Sequence, residues 1–309
     1  MGALSNWVEL QDRFDCFYTI VDWHALTTDY RSPEGIQQSI KHIVADWVAA
    51  GLDPERCTIF VQSHVKEHAE MHLLLSMIVP IPWLERVPTY KEQQQQLTDR
   101  DLNNFGFLGY PVLQAADIVL YDARYVPVGE DQLPHLELTR EIVRRFNGLY
   151  GDILVEPEAL TTVLPKLPGT DGRKMSKSYG NAISLSDPPE TIASRYRTMM
   201  TDPARQRRSD PGNPDVCPVF QHHRAFTPED RRAEIDRDCR TAAIGCIECK
   251  ADVAGRVIER VEPLRSRREE LLAAPGRIDD ILADGAARAR ACASVTMAKV
   301  RSSMGLSDA

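Results

Sequence analysis

Short runs of β-branched and aromatic residues alternate with stretches of helical apolar spacing, an alternation that restricts the first half of this chain to parallel βαβ units. Phe17-Tyr18-Thr19-Ile20-Val21 predicts a buried strand. Ser32-Pro33-Glu34 then starts a helix whose apolar stripe is Ile36, Ile40, Ile43, Val44, Trp47 and Val48. Thr58-Ile59-Phe60-Val61 is the next strand, followed by a helix over about 66–77 and the proline-broken segment Val79 to Trp83. Gln93 to Gln96 is assigned to a polar helix surface. A helix from Tyr110 to about Tyr121 precedes a strand at Tyr125-Val126-Pro127-Val128. Leu133, Leu136, Ile142, Val143 and Phe146 then mark another helix. From Pro188 onward the chain is charged and helical, with no strand-like run and an irregular break from Thr201 to Pro218. The expected fold is α/β: a doubly wound, Rossmann-like, mostly parallel sheet over residues 1–183, then a second, all-helical domain over 184–309. Its last helix, about 279–304, is expected to pack back on the first domain.

Composition narrows the partners. The chain has 309 residues and a net charge of -8, so a nucleic acid must be held by local basic patches against the average field. Arg205, Arg207, Arg208, Arg231, Arg232, Arg265, Arg267 and Arg268 supply such charge in the helical half, interleaved with acids. No apolar run approaches the roughly 20 residues of a membrane span, and the N-terminus lacks a basic segment ahead of an apolar core, which predicts a cytoplasmic protein without a membrane partner.

Three segments carry chemistry. Residues 174–178 read Lys-Met-Ser-Lys-Ser, flanked by Gly169, Gly172 and Gly180. Two compact cations on flexible stems, with two hydroxyls between glycine hinges, suit a mobile loop that follows phosphate charge. Asp117 shares a helix face with Tyr110, Leu113 and Gln114, and a carboxylate on so apolar a face must be paired or functional. Gly129-Glu130-Asp131-Gln132 follows a strand directly, where open α/β sheets bind ligands; an acidic helix start explains the same residues without a ligand. Separately, Cys217, Cys239, Cys246 and Cys249 are spaced C-x21-C-x6-C-x2-C. Four thiolates so placed suit tetrahedral zinc or an iron-sulfur cluster, or are unrelated thiols in a reducing compartment. Cys16, Cys57 and Cys292 are assigned to packing.

KMSKS at this place, VPVGEDQ at 126–132 and YPVLQAADI at 110–118 together resemble bacterial tryptophanyl-tRNA synthetases of class I. The resemblance covers essentially the whole chain. It implies ATP-dependent activation of L-tryptophan, ATP entering with Mg2+, and transfer to tRNA(Trp) by a homodimer. By resemblance Asp117 accepts the indole N-H, Tyr110 and Gln132 hold the ammonium, Val21 and His24 wall the pocket, and Gln114 stands where many members carry methionine. Gly129, Glu130, Asp131 and Leu167 match the nucleotide site with Lys174, Met175, Ser176, Lys177 and Ser178; Lys174 and Lys177 are the catalytic pair. Gln93 stands where some members have a phosphate-binding lysine, with Lys91 a substitute. The four cysteines resemble the [4Fe-4S] motif of a subset of the family, with Zn2+ the alternative. Members also carry a first strand and a HIGH signature ahead of the segment matching Gly2 to Trp7. The expectation is therefore a chain truncated before or within that signature, weak in catalysis, whose gene product starts upstream of Met1. A non-catalytic paralogue that binds tryptophan or tRNA, and a tyrosine-tRNA ligase, are the rival readings.

Overall fold

The computed structural model describes residues 2–88, 102–161, 167–176 and 179–306. The elements in chain order are α1 (Gly2–Leu10), β1 (Phe17–Ile20), α2 (Asp22–Asp29), α3 (Ile36–Ala50), β2 (Thr58–Val61), α4 (Glu67–Ser76), α5 (Ile81–Glu85), α6 (Phe105–Val119), β3 (Tyr125–Val128), α7 (Leu133–Tyr150), β4 (Glu158–Thr161), α8 (Pro189–Thr198), α9 (Pro218–Phe226), α10 (Glu229–Arg240), α11 (Cys246–Ala273) and α12 (Pro275–Ser303). Two compact units interleave along the chain. One gathers 6–44, 51–163 and 274–309, the other 1–5, 45–50 and 164–273.

In the first unit β1 pairs with β2 in parallel, Phe17 opposite Thr58 and Ile20 opposite Val61. β3 pairs with β4 in parallel, Tyr125 opposite Glu158. The α/β class with parallel strands and a helical C-terminal region is as expected. β4 was not anticipated, because Glu158-Ala159-Leu160 lacks β-branched residues; its partner, not its propensity, makes it a strand. α6 starts before the expected Tyr110. Asn104 caps it by accepting the Phe107 N-H at 3.0 Å, and Pro111 lies inside the helix rather than at its start. α7 has Pro134 in its first turn and ends at Gly151, whose φ of +98° favours glycine. Gln93 to Gln96, like Lys91, lie outside the described residues.

The core of this unit includes Phe60, Leu75, Val112, Phe146, Ala289 and Met297, all buried, so α12 contributes to it as fully as the sheet does. α12 lies hard against β2. A Cβ on Gly285 would stand 1.8 Å from the Ile59 carbonyl oxygen, and Arg288 Nη2 donates to the Cys57 carbonyl at 2.9 Å. Arg301 Nε donates to Glu70 at 2.7 Å. The second unit has its own core of Ile192, Tyr196, Phe220, Ile235, Val253 and Val257, from α8 to α11. Among the described residues no helix is long and apolar enough to cross a membrane.

Candidate functional site

Asp117 projects from the interior of α6, and its carboxylate collects donors from three other segments. Gln62 Nε2 donates to Oδ1 at 2.7 Å and Oδ2 at 2.9 Å; His68 Nδ1 donates to Oδ1 at 2.6 Å; His24 Nε2 approaches Oδ2 at 3.0 Å. A carboxylate only accepts, so His68 carries its proton on Nδ1 and its Nε2, when the ring is neutral, accepts from Tyr121 Oη at 2.7 Å. The Asp117 side chain is 9% exposed and His68 is fully buried, whereas His24 at 17% is the outermost donor. Burial alone raises the Asp117 pKa, but the hydrogen bonds and charges of His24 and His68 outweigh it and hold the carboxyl below its ordinary range. The result is a buried, ionised acceptor held rigidly from behind. Gln62, His68 and Tyr121 were absent from the sequence-based site: Gln62 and His68 lie 55 and 49 residues from Asp117, beyond any local period.

Other expected pocket residues gather here. The Tyr110 ring meets His24 edge-on at 6.5 Å between centroids and packs at 5.5 Å from His135. Gln114 Nε2 lies 3.5 Å from Gln132 Oε1. Val21 follows β1 and caps the start of α2, 40% exposed. Gly129 follows β3, and Glu130 to Gln132 form one tight turn ahead of α7 with both acids exposed. A Cβ on Gly129 would come within 2.8 Å of Asp131 Oδ1, the end of an exposed side chain that can turn aside.

The KMSKS segment belongs to the helical unit. Its stem is a bridge between Pro168 and Lys174, with Gly169 N donating to Arg173 O at 2.7 Å. Asn181 is buried and braces both sides: Oδ1 accepts from Ser176 N at 2.8 Å, and Nδ2 donates to Asp171 Oδ1 at 2.8 Å and Lys174 O at 3.1 Å. Bonds from Asn181 and then Arg173 lower the Asp171 pKa to about 2. Pro168 O accepts from His222 Nε2 at 2.8 Å, and His222 Nδ1 accepts from Tyr196 Oη at 2.6 Å, so buried side chains anchor the stem. Lys174 is exposed, Leu167, Met175 and Ser176 are half-buried, and Lys177 and Ser178 lie outside the described residues.

The four cysteines occupy neighbouring helix ends: Cys217 caps α9, Cys239 closes α10, and Cys246 and Cys249 open α11. Burial first, then the charges of Cys217, Cys239 and Cys246, push the Cys249 thiol up to about 12. Among the described residues no group of three or more His, Cys, Asp or Glu side chains is arranged to hold a metal ion. The arginines differ from a free basic patch. Arg231 pairs with Asp252 at 2.9 Å, Arg265 with Glu262 at 2.6 Å and Arg268 with Asp46 at 2.5 Å; Arg205 is buried. Arg207 and Arg267 are exposed, with no ion pair among the described residues.

A parallel α/β unit with an acidic turn at a strand end, together with a helical unit bearing an exposed KMSKS stem, defines a class I aminoacyl-tRNA synthetase. The family model described as tRNA synthetases class I (W and Y) matches residues 1–262, and the chain belongs to that family. A tryptophan-tRNA ligase of Thermotoga maritima is 50% identical over 99% of this chain and 94% of its own length. One from Ralstonia nicotianae is 42% identical with the same coverage of each. A Campylobacter jejuni tryptophanyl-tRNA synthetase, solved with ADP and tryptophan, superposes with a TM-score of 0.91 at 32% identity, covering 99% of this chain and 94% of that one.

Proposed function

We propose that Asp117 recognises tryptophan by accepting its indole N-H. The chain's activity is that of a tryptophan-tRNA ligase, with ATP as the energy source. The observation that carries the assignment is the Asp117 cluster: a donor-only indole nitrogen needs a buried acceptor, His24 and His68 hold this one ionised, and Gln62 helps fix it in place. Phenylalanine would leave that acceptor unpaired, which is how such a site rejects it. His24, Tyr110 and Val21 form the walls, and Gln114 and Gln132 supply amide groups for the ammonium. Gly129, Glu130 and Asp131 accept ATP's ribose side, with Leu167, Met175, Ser176 and Ser178 contributing from the loop.

The tryptophan carboxylate attacks the α-phosphate in line, and Lys174 and Lys177 balance the charge that builds on the departing pyrophosphate. A ribose hydroxyl at the 3' end of tRNA(Trp) then attacks the adenylate carbonyl, releasing AMP. No covalent enzyme intermediate is required. We assign the exposed Arg207 and Arg267 to phosphate contacts, and the whole to a cytoplasmic homodimer.

Cys217, Cys239, Cys246 and Cys249 are proposed to ligate a [4Fe-4S] cluster, with Zn2+ as the alternative. Support comes from an all-sulfur donor set carried on the neighbouring ends of α9, α10 and α11. Its role is to tie the ends of α9, α10 and α11 together. The test of the activity is amino-acid-dependent ATP-pyrophosphate exchange with tryptophan, tyrosine and phenylalanine side by side. Exchange with tryptophan alone is expected. Preference for tyrosine overturns the substrate, and exchange with none overturns the catalytic assignment in favour of a binding paralogue.

A further inference from the structure

We infer that Tyr121 is a specificity-determining positioning residue: its hydroxyl, bonded to His68 and not to Asp117, fixes which ring nitrogen His68 turns toward the indole acceptor. The inference rests on the reading of Asp117 as the acceptor of the indole N-H.

Asp117 and Tyr121 stand one helical turn apart, at i and i+4, the first inside α6 and the second just past its end. His68, from α4, spans the gap between them. Its Nδ1 lies 2.6 Å from Asp117 Oδ1 and its Nε2 2.7 Å from Tyr121 Oη. The imidazole is fully buried, so water does not replace either partner. The tyrosine ring is clamped as well, stacked on Phe17 at 4.7 Å between centroids and edge-on to Phe60 at 5.6 Å. Phe17 opens β1 and Phe60 lies in β2, so the strand pair itself holds the hydroxyl in place. The chain turns away immediately afterwards: Asp122 has a φ of +48°, which few residues other than glycine adopt, and its carboxylate meets Lys299 of α12 at 3.4 Å.

A neutral imidazole has one proton and two nitrogens to carry it, and the hydrogen bond made by one nitrogen decides the state of the other. With the proton on Nδ1, the ring donates to Asp117 and accepts from Tyr121, and all three groups are matched. With the proton on Nε2, a lone pair on Nδ1 faces a carboxylate that only accepts. The tyrosine hydrogen then also has no acceptor among the described residues, since His68 is its one hydrogen-bond partner there. The second arrangement forfeits bonds at both ends of the ring.

Removing the hydroxyl strips Nε2 of its donor and leaves a buried acceptor unsatisfied, a state the ring relieves by turning. The Nδ1 proton then leaves Asp117 with it. In the intact chain Oδ1 keeps His68 Nδ1 and the shorter arm of Gln62, and Oδ2, approached by the outermost donor His24 and the longer arm of Gln62, is the oxygen left for the substrate. Tyr121 therefore acts on amino-acid choice through His68, without touching the amino acid.

The test uses the full chain and two probes of nearly equal shape, L-tryptophan and its benzothiophene analogue, in which sulfur replaces the indole N-H. The ratio of their dissociation constants by calorimetry isolates the contact to Asp117, and pyrophosphate exchange separates KM from kcat. Wild type is expected to favour tryptophan about tenfold or more, as a charge-assisted bond does. Y121F is expected to lower that preference about two- to tenfold, the range of one neutral hydrogen bond, through the KM for tryptophan rather than kcat. H68N, whose amide N-H2 stands where Nδ1 stood, is expected to retain most of the preference, and H68Q, whose amide reaches the Nε2 position instead, to lose most of it. In the H68N background Y121F is expected to cost nothing further, because no tautomer remains to be fixed. Ring-labelled wild type is expected to show His68 protonated on Nδ1 by 15N NMR. A Y121F preference equal to wild type overturns the inference, as do equal Y121F losses in both backgrounds, which give the tyrosine a packing role alone, and as does a wild-type proton on Nε2. Should Y121F not fold, the H68N and H68Q pair and the ring spectrum decide. Wild type that binds both probes equally overturns the reading of Asp117 itself, and is seen before any variant is compared.

Discussion

Replacing Asp117 by asparagine separates the charge of the acceptor from its shape. The side chain keeps its volume, so α6 need not move, but one of two accepting oxygens becomes an amide donor. In the native site Oδ1 takes His68 Nδ1 and Gln62 Nε2 while Oδ2 faces His24 and shares Gln62. Asparagine's oxygen fits the Oδ1 side, where two buried donors converge, leaving its N-H2 toward His24 and the proposed indole position. Two charge-assisted bonds then become neutral ones, each worth about 1 kcal/mol less, for a loss of roughly 2 kcal/mol. Rotation of Gln62, whose Oε1 has no partner among the described residues, recovers part of it by accepting the new N-H. A fall in Tm of about 4–8 °C follows for units of this size. Selectivity changes more. A donor facing the indole N-H removes a bond worth about 1.5–3 kcal/mol, so the kcat/KM ratio of tryptophan over phenylalanine drops about ten- to a hundredfold. Pyrophosphate exchange with each amino acid measures the ratio, and thermal unfolding measures the stability. An unchanged ratio alongside a lowered Tm refutes the indole contact, and an unchanged Tm refutes the network.

Gly285→Ala is expected to lower stability by about 1–3 kcal/mol or more, because the new Cβ meets the backbone oxygen of Ile59 rather than a yielding side chain; a Tm within error of wild type contradicts the helix-on-strand contact. Acidification is expected to destabilise the fold in two windows. Burial lowers the pKa of His72, His135, His222 and His223, so the unfolded chain binds more protons; their contribution is complete above about pH 6.5 and declines as pH falls below it. Asp117, held low when folded, adds a second loss as pH falls from about 4 through its folded pKa. Tm measured from pH 8 to pH 3 checks both, and a flat profile contradicts them.

The strands β1 to β3 were legible because each is a run of β-branched or aromatic residues, and the helices that follow them because their apolar residues recur with period 3.6. β4 was not, since its identity resides in β3. Asp117 stood out as a carboxylate among apolar neighbours, yet the histidine and glutamine that hold it come from a different helix and a strand end, and only folding brings them together. The arginines looked like a basic surface in sequence because their acidic partners are visible only in space: Arg268 meets Asp46, more than two hundred residues away.

The contact of α12 with β2 also orders events in time. The sheet-bearing unit is assembled from the beginning, middle and end of the chain, so on the ribosome its core stays open until residues near Met297 emerge, by which point the helices from 189 to 273 have already been made. Closing it requires joining residues such as Ile59 and Gly285, and contacts of so large a sequence separation form slowly. A nascent chain interrupted before α12 leaves β2 uncovered on that side, an apolar edge that invites chaperone binding or aggregation. Completion of the last helix is thus expected to couple closure of the core around β2, beside the proposed tryptophan pocket, to synthesis of α12.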